Sequence, residues 1–445
     1  MLARPYLSLA LLLAVPAWCQ VAPSATGTDF SAEEDSQMLM PPLVSGVPYP
    51  LTAASETQSN HLAGGLTSMT AFDDNVLAGA SVHPVSDVAY TLLCTLTGDQ
   101  TTSRQHRTFT YSPGFTLFQH TSGLNEVDQH AALDDRYQMT DNMAVSFRDA
   151  FEQSSSVFNQ PYPLLGEGIS GSPQPLLTSL VVPFGDRIDN TATGGLSYQF
   201  ARNAMVGGGG DLAELDYPNP AQVPGLFNSS QLGGSAFGSL RLSEAQYVGE
   251  TYFYSRILAF PPIAEFKLHT QTFLSFYTLY LNRTFSLSLA AGPQYVYAAQ
   301  ATAAPYQALV PSGMASFGLQ GNHADIAASY LRTVTGGGGL VGAFNSNSAN
   351  TSASWRMTGT WTLGLAGIYA INKNVTALFP SASPGGHSIS GAVSVQRSIG
   401  EHFSVKAGYL RLHQRYSGLG AISGAPDSDQ ESVSVSYQFR KSLGK

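Results

Sequence analysis

Over Ser432–Phe439 the chain alternates without exception: Val433, Val435, Tyr437 and Phe439 are apolar, and the residues between them are Ser or Gln. Successive side chains of a strand point to opposite faces, so this pattern predicts a strand with one apolar and one wet face. Thr284–Ala290 and His387–Gln396 repeat it, and Leu196–Phe200 and Ala144–Arg148 do so over shorter runs. About 18 such segments can be marked between residues 62 and 442.

The connections carry a second pattern. Short turns such as Tyr137–Asn142, Phe200–Asn203, Leu281–Thr284, Met357–Thr360 and Arg397–Glu401 alternate with long polar stretches at 156–188, 216–232, 335–348, 373–385 and 417–430. Tight turns at one end and large loops at the other are the rhythm of an outer-membrane barrel. In hydrocarbon every backbone N–H and C=O needs a partner, so a spanning sheet must close on itself. The expected fold class is all-β: a closed antiparallel up-and-down transmembrane β-barrel of about 16–18 strands, with short periplasmic turns and long extracellular loops. A soluble β-sandwich is the alternative that alternation alone leaves open.

Composition sharpens this reading. Charged residues are 11% of the 445-residue chain, against about 25% in ordinary soluble domains. The net charge of −9 speaks against nucleic acid as a partner, which needs a basic surface. Two cysteines exclude a disulfide framework, and Cys94 reads as a small apolar wall residue. Residues 1–19, with Met1–Arg4 ahead of an apolar Leu7–Val15, read as a signal peptide. Residues 20–61, rich in Pro and carrying Glu33-Glu34-Asp35, read as an acidic periplasmic tether, and 62–445 as the outer-membrane β-barrel.

The Ala71-Phe-Asp-Asp-Asn-Val76 segment, the Ser-Tyr-Gln-Phe repeated at 197–200 and 436–439, and an aromatic last strand resemble the β-barrel porin families of Gram-negative bacteria. Within them the chain is most similar to porin-like proteins associated with exopolysaccharide export. The resemblance implies the cell outer membrane as location, and outer-membrane lipid, small hydrophilic solutes and the outer-membrane insertion machinery as partners, with a homo-oligomer left open. One departure is that Phe439 is followed by Arg440–Lys445, where the usual insertion signal ends on an aromatic residue. That implies an internal signal or a different insertion route.

No His-Glu-x-x-His, Gly-x-Ser-x-Gly or Walker-type loop occurs, so no catalytic residue, cofactor or metal is expected. Gly166–Gly171 matches a dinucleotide fingerprint but lacks a β-α-β setting. The leading function is passive or facilitated diffusion of small hydrophilic solutes, saccharides among them because Tyr and Phe suit ring stacking. An outer-membrane barrel enzyme of lipase or protease type, a structural or adhesive barrel, and a metal site using His120 or His130 with Asp134 are the alternatives.

Candidate pore-lining residues follow from parity. Asp134, Arg136, Arg148 and Glu152 share the polar side of one hairpin, and Lys267 and His269 share it in the strand from 266. In the strand from 402 the apolar phase flips between Tyr409 and Leu410. A bulge near Gly408 would keep Lys406, Arg411, His413 and Arg415 all facing inward. These charges would either sort solutes or pair to stiffen a wet lumen. Asp135 and Asp149 fall on the lipid parity, where a bulge, a place at the rim or a protomer contact is needed to rescue them. The long connection 156–188, with Leu176, Leu177, Leu180, Val181 and Val182, is too apolar to stay in water and is expected to fold onto something: into the lumen as its constriction as the leading reading, with an external cap or an oligomer contact as the alternatives.

Overall fold

The computed structural model describes Met38 and residues 60–77, 84–155, 185–223, 225–262, 265–282, 284–300, 303–321, 323–337, 340–375, 385–417 and 427–443. The expected signal peptide, nearly all of the tether and residues 156–184 of the long connection lie outside them. The strands are β1 (His61–Asp73), β2 (Asp87–Thr101), β3 (Gln105–Phe118), β4 (Glu126–Thr140), β5 (Met143–Ser154), β6 (Arg187–Ala201), β7 (Ala204–Asp216), β8 (Ser229–Ser243) and β9 (Gln246–Ala259). The second half continues with β10 (Phe266–Asn282), β11 (Phe285–Gln300), β12 (Ala303–Gln320), β13 (Ala324–Gly337), β14 (Leu340–Arg356), β15 (Trp361–Asn374), β16 (Gly385–Ile399), β17 (Phe403–Ser417) and β18 (Asp427–Ser442).

Each strand pairs antiparallel with the next, and β18 pairs back onto β1 from His61↔Ser442 to Asp73↔Gln430, so the 18-stranded sheet closes. Register carries parity from strand to strand, which separates the two faces. Val433, Val435 and Tyr437 are 55%, 47% and 37% exposed on the outer wall, while Ser436 on the other face is 7% exposed. Phe439 lies on the outer face too, its ring covering Gly64 of β1 so closely that a Cβ there would overlap it. The outward sides of β2, β3 and β11 read Tyr90, Leu92, Cys94, Leu96; Phe109, Tyr111, Phe115; and Leu287, Leu289, Tyr295. A closed sheet with an apolar outer belt is an outer-membrane β-barrel, since only lipid can cover such a belt all the way round.

The inner surface is not uniformly wet. From Gly313↔Arg332 to Gln320↔Asp325, β13 is hydrogen-bonded to β12; beyond Arg332 that pairing stops, while β13 and β14 stay paired up to Gly337↔Leu340. The freed tip bends into the lumen and reaches within 8 Å, Cα to Cα, of β10. Three strand spacings along the wall would put β10 and β13 roughly 14 Å apart, so the approach is across the interior. Val334 and Ala343 of the tip pack with Ala213, Ile257, Phe266, Leu268 and Val296 on the inner faces of β7, β9, β10 and β11. Phe344 joins Leu215, Tyr217, Leu226 and Tyr416 of β17 in a second cluster, which spans the mouth from one wall to the other. The sequence expectation of a long connection at 335–348 is thereby corrected: strands run to Gly337 and resume at Leu340. Its period-two signal fails because both faces of this tip are buried.

Candidate functional site

Charged lumenal side chains gather on β4, β5 and β6. Their inward side chains are Glu126, Asp128, His130, Asp134 and Arg136 from β4, Arg148 and Glu152 from β5, and Arg187 and Asp189 from β6. Register sets Asp134 opposite Arg148, and His130 opposite Glu152, which in turn faces Asp189. Arg148 Nη1 stands 3.5 Å from Asp134 Oδ2, and Arg187 Nη2 donates to Glu152 Oε1 at 3.4 Å. The Arg148 residue is 8% exposed, and among the described residues its Nε and Nη1 have no hydrogen-bond partner. A buried guanidinium with unmet donors is costly, and the nearby Asp134 carboxylate offsets part of that cost through its charge. Five carboxylates against three guanidinium groups make this stripe acidic.

Of the sequence-derived candidates, Asp134, Arg136, Arg148, Glu152 and Lys406 stand on the inner face. Lys267, His269, Arg411, His413 and Arg415 stand on the outer face, a correction with a common cause. The β16–β17 register runs unbroken from Gly385↔Ser417 to Ile399↔Phe403, so there is no bulge at Gly408. The inward positions there belong to Leu410, Leu412, Gln414 and Tyr416, which the packed lumen buries. Likewise Phe266 and Leu268 point inward under the hairpin, which turns Lys267 and His269 outward beside Arg256 and Tyr254. Asp135 is also outward, at the short-turn rim, held by Arg107 Nη2 at 2.6 Å and by Gln105 Nε2 at 3.0 Å. Asp149 faces outward higher up the wall, its Oδ1 without a hydrogen-bond partner among the described residues. His120 sits in the β3–β4 connection with its Nδ1 3.0 Å from Asp87 Oδ1, and among the described residues no group of three ligands suits a metal ion.

Three inward features carried no sequence signal. Gln294 of β11, 1% exposed, replaces the missing β12–β13 ladder: Val334 N donates to its Oε1 at 2.7 Å, and its Nε2 donates to Val334 O at 3.0 Å and Thr333 Oγ1 at 3.1 Å. At the other end Met38 enters the short-turn mouth, its N–H donating to Gln199 Oε1 at 3.0 Å and its side chain packing with Met205 and Tyr247. Near that mouth Thr101 Oγ1 lies 2.9 Å from His106 Nδ1, and Thr108 Oγ1 donates to Asp99 Oδ2 at 3.2 Å.

The Asp-Asp-Asn segment turns out to be the upper lock of the seam. Ser428 Oγ donates to Asp73 Oδ1 at 2.7 Å, Asp429 N to Asp74 Oδ1 at 2.7 Å, and Asn75 Nδ2 to Asp427 O at 3.1 Å.

No family model and no curated relative matches the chain. Solved structures similar to it include OccK2 (OpdF) of Pseudomonas aeruginosa, at 10% identity over 86% of this chain and 98% of that one, with a TM-score of 0.42. OccAB3 of Acinetobacter baumannii is similar at 11% identity over 86% and 99%, with a TM-score of 0.42. The ferric citrate transporter FecA is similar at 10% identity over 85% of this chain, which spans 64% of its length, with a TM-score of 0.43.

Proposed function

We propose that the chain is a porin-like channel that lets small hydrophilic solutes cross the outer membrane along the β4–β6 side of the lumen, opposite the inward hairpin. The carrying observation is the division of one interior into an apolar filled part and a charged stripe that includes Arg148. Dense acid and base side chains at a narrow place select by charge, and the surplus of carboxylates favours cations. Large exposed aromatics such as Phe109, Phe115 and Tyr198 lie on the outer wall. The proposal is therefore for solutes sorted by charge rather than for saccharides held by stacking.

Planar-bilayer recording on the purified barrel tests it. Discrete conductance steps are expected, with a reversal potential of cation sign in a salt gradient. A folded protein that passes no current, or one that prefers anions, refutes the assignment.

A further inference from the structure

The outer face of β15–β17 at the long-loop end carries a groove that conduction does not use. Its volume is about 300 Å³, and Tyr369, Ile371, Lys373, Gly385, His387 and Ser417 line it. Register places Gly385 between Lys373 and Ser417, and His387 between Ile371 and Arg415. Gly385 has no side chain, so the wall is recessed between its flanking neighbours. The His387 ring stands 5.7 Å from that of His413 and 6.3 Å from that of Tyr369.

Charge balance points to an anion. The adjacent carboxylates are already engaged: Arg411 pairs with Asp427 and, at 2.6 Å, with Asp429, and His413 Nδ1 stands 3.5 Å from Asp427. Neither Lys373 nor Arg415 has an ion-pair partner among the described residues.

Height points to lipid. On the outward side of β15, Leu363, Leu365, Tyr369 and Ile371 precede Lys373. Eight strand steps tilted by about 40° rise roughly 20 Å, close to the roughly 25 Å apolar band of such barrels. Arg397, 5.3 Å from the Trp361 ring centroid, marks the opposite interface. Lys373, His387 and Arg415 therefore stand at the headgroup level of the outer leaflet.

We propose that this groove binds a phosphate of an outer-leaflet lipopolysaccharide. Lys373 and Arg415 donate to the phosphate oxygens, and an acyl chain lies along Ile371, Tyr369 and Ile389. The proposal rests on the outer-membrane barrel and is independent of conduction.

Native mass spectrometry of the detergent-solubilised barrel, titrated with bis-phosphorylated lipid A, tests it. The wild type is expected to hold one tightly bound lipid, and Lys373→Ala/Arg415→Ala to weaken that binding about tenfold or more. Lys373→Gln/Arg415→Gln, which keeps side-chain bulk, should weaken it likewise, whereas Arg397→Ala at the far interface should leave it unchanged. Retained compact mobility on unheated gels shows each variant to be folded. Wild-type affinity retained in both double variants, equal binding of lipid A stripped of phosphate, or displacement of the lipid by millimolar inorganic phosphate overturns the proposal.

Discussion

Arg411, His413 and Arg415 show how a single parity choice decides a residue's role. The apolar phase of β17 changes at Tyr409–Leu410, and a wet lumen would demand a bulge to keep three cations inside. The lumen is packed at that height, where Leu412 and Tyr416 are buried, and the strand stays regular. Neutralising Arg411, His413 and Arg415 together should therefore leave the reversal potential where it is. Arg148→Gln, by contrast, removes a lumenal cation and should move the reversal potential further toward cations. Recording both variants under the same salt gradient checks the pair. What sequence showed was each side chain's alternation; which face meets water depends on what fills the interior, and that filling is a long-range contact no local pattern contains. The same ambiguity misplaced Lys267 and His269, while the β4–β5 hairpin, whose polar face does turn to the interior, allowed Asp134, Arg136, Arg148 and Glu152 to be placed inward.

Among the elements, the β13–β14 hairpin departs furthest from a plain barrel. Sequence assigned the narrowing of the pore to 156–188, on the ground that its leucines must be covered; residues 156–184 lie outside the described structure, and the narrowing element among the described residues is this hairpin. Thr335 and Gly336 fell within an expected long connection, but Gly336 serves close approach: a Cβ on it would stand 3.2 Å from Ile257 Cδ1. Gly336→Leu should push the tip off the wall. Gln294→Ala removes the hydrogen bonds to Thr333 and Val334 that hold it and should cost about 1–3 kcal/mol. Single-channel recording is expected to show a larger or noisier conductance in each. Unchanged traces from two folded variants would mean that the tip does not limit flow.

At the scale of the whole molecule the barrel was the most legible feature, because strict alternation, even strand number and the rhythm of connections all repeat and each supports the others. The seam was only half visible: the Asp-Asp-Asn segment stood out, but its partners lie on the last strand. Asp73→Ala/Asn75→Ala removes side-chain bonds that tie β1 to Ser428 and Asp427, and should lower stability by about 1–3 kcal/mol. The check is the temperature at which compact gel mobility is lost, which should fall relative to the wild type while the strand signal in circular dichroism persists at room temperature.

The Asp73–Ser428 hydrogen bond joins residues 355 apart in the chain. Loop-closure entropy grows with the logarithm of the intervening length, so bringing these ends together costs about 4 kcal/mol more than closing a four-residue turn. Every other neighbour pair in the ring can zip locally, one hairpin after another, but the final one waits for the last strand to be made. Until then both β1 and the growing edge expose an unsatisfied ladder, open to any other strand in reach. Assembly of this protein is therefore all-or-nothing in time as well as in space: a chain cut short before Asp427 has seventeen strands' worth of favourable pairing and no way to end it, and aggregation is its natural fate.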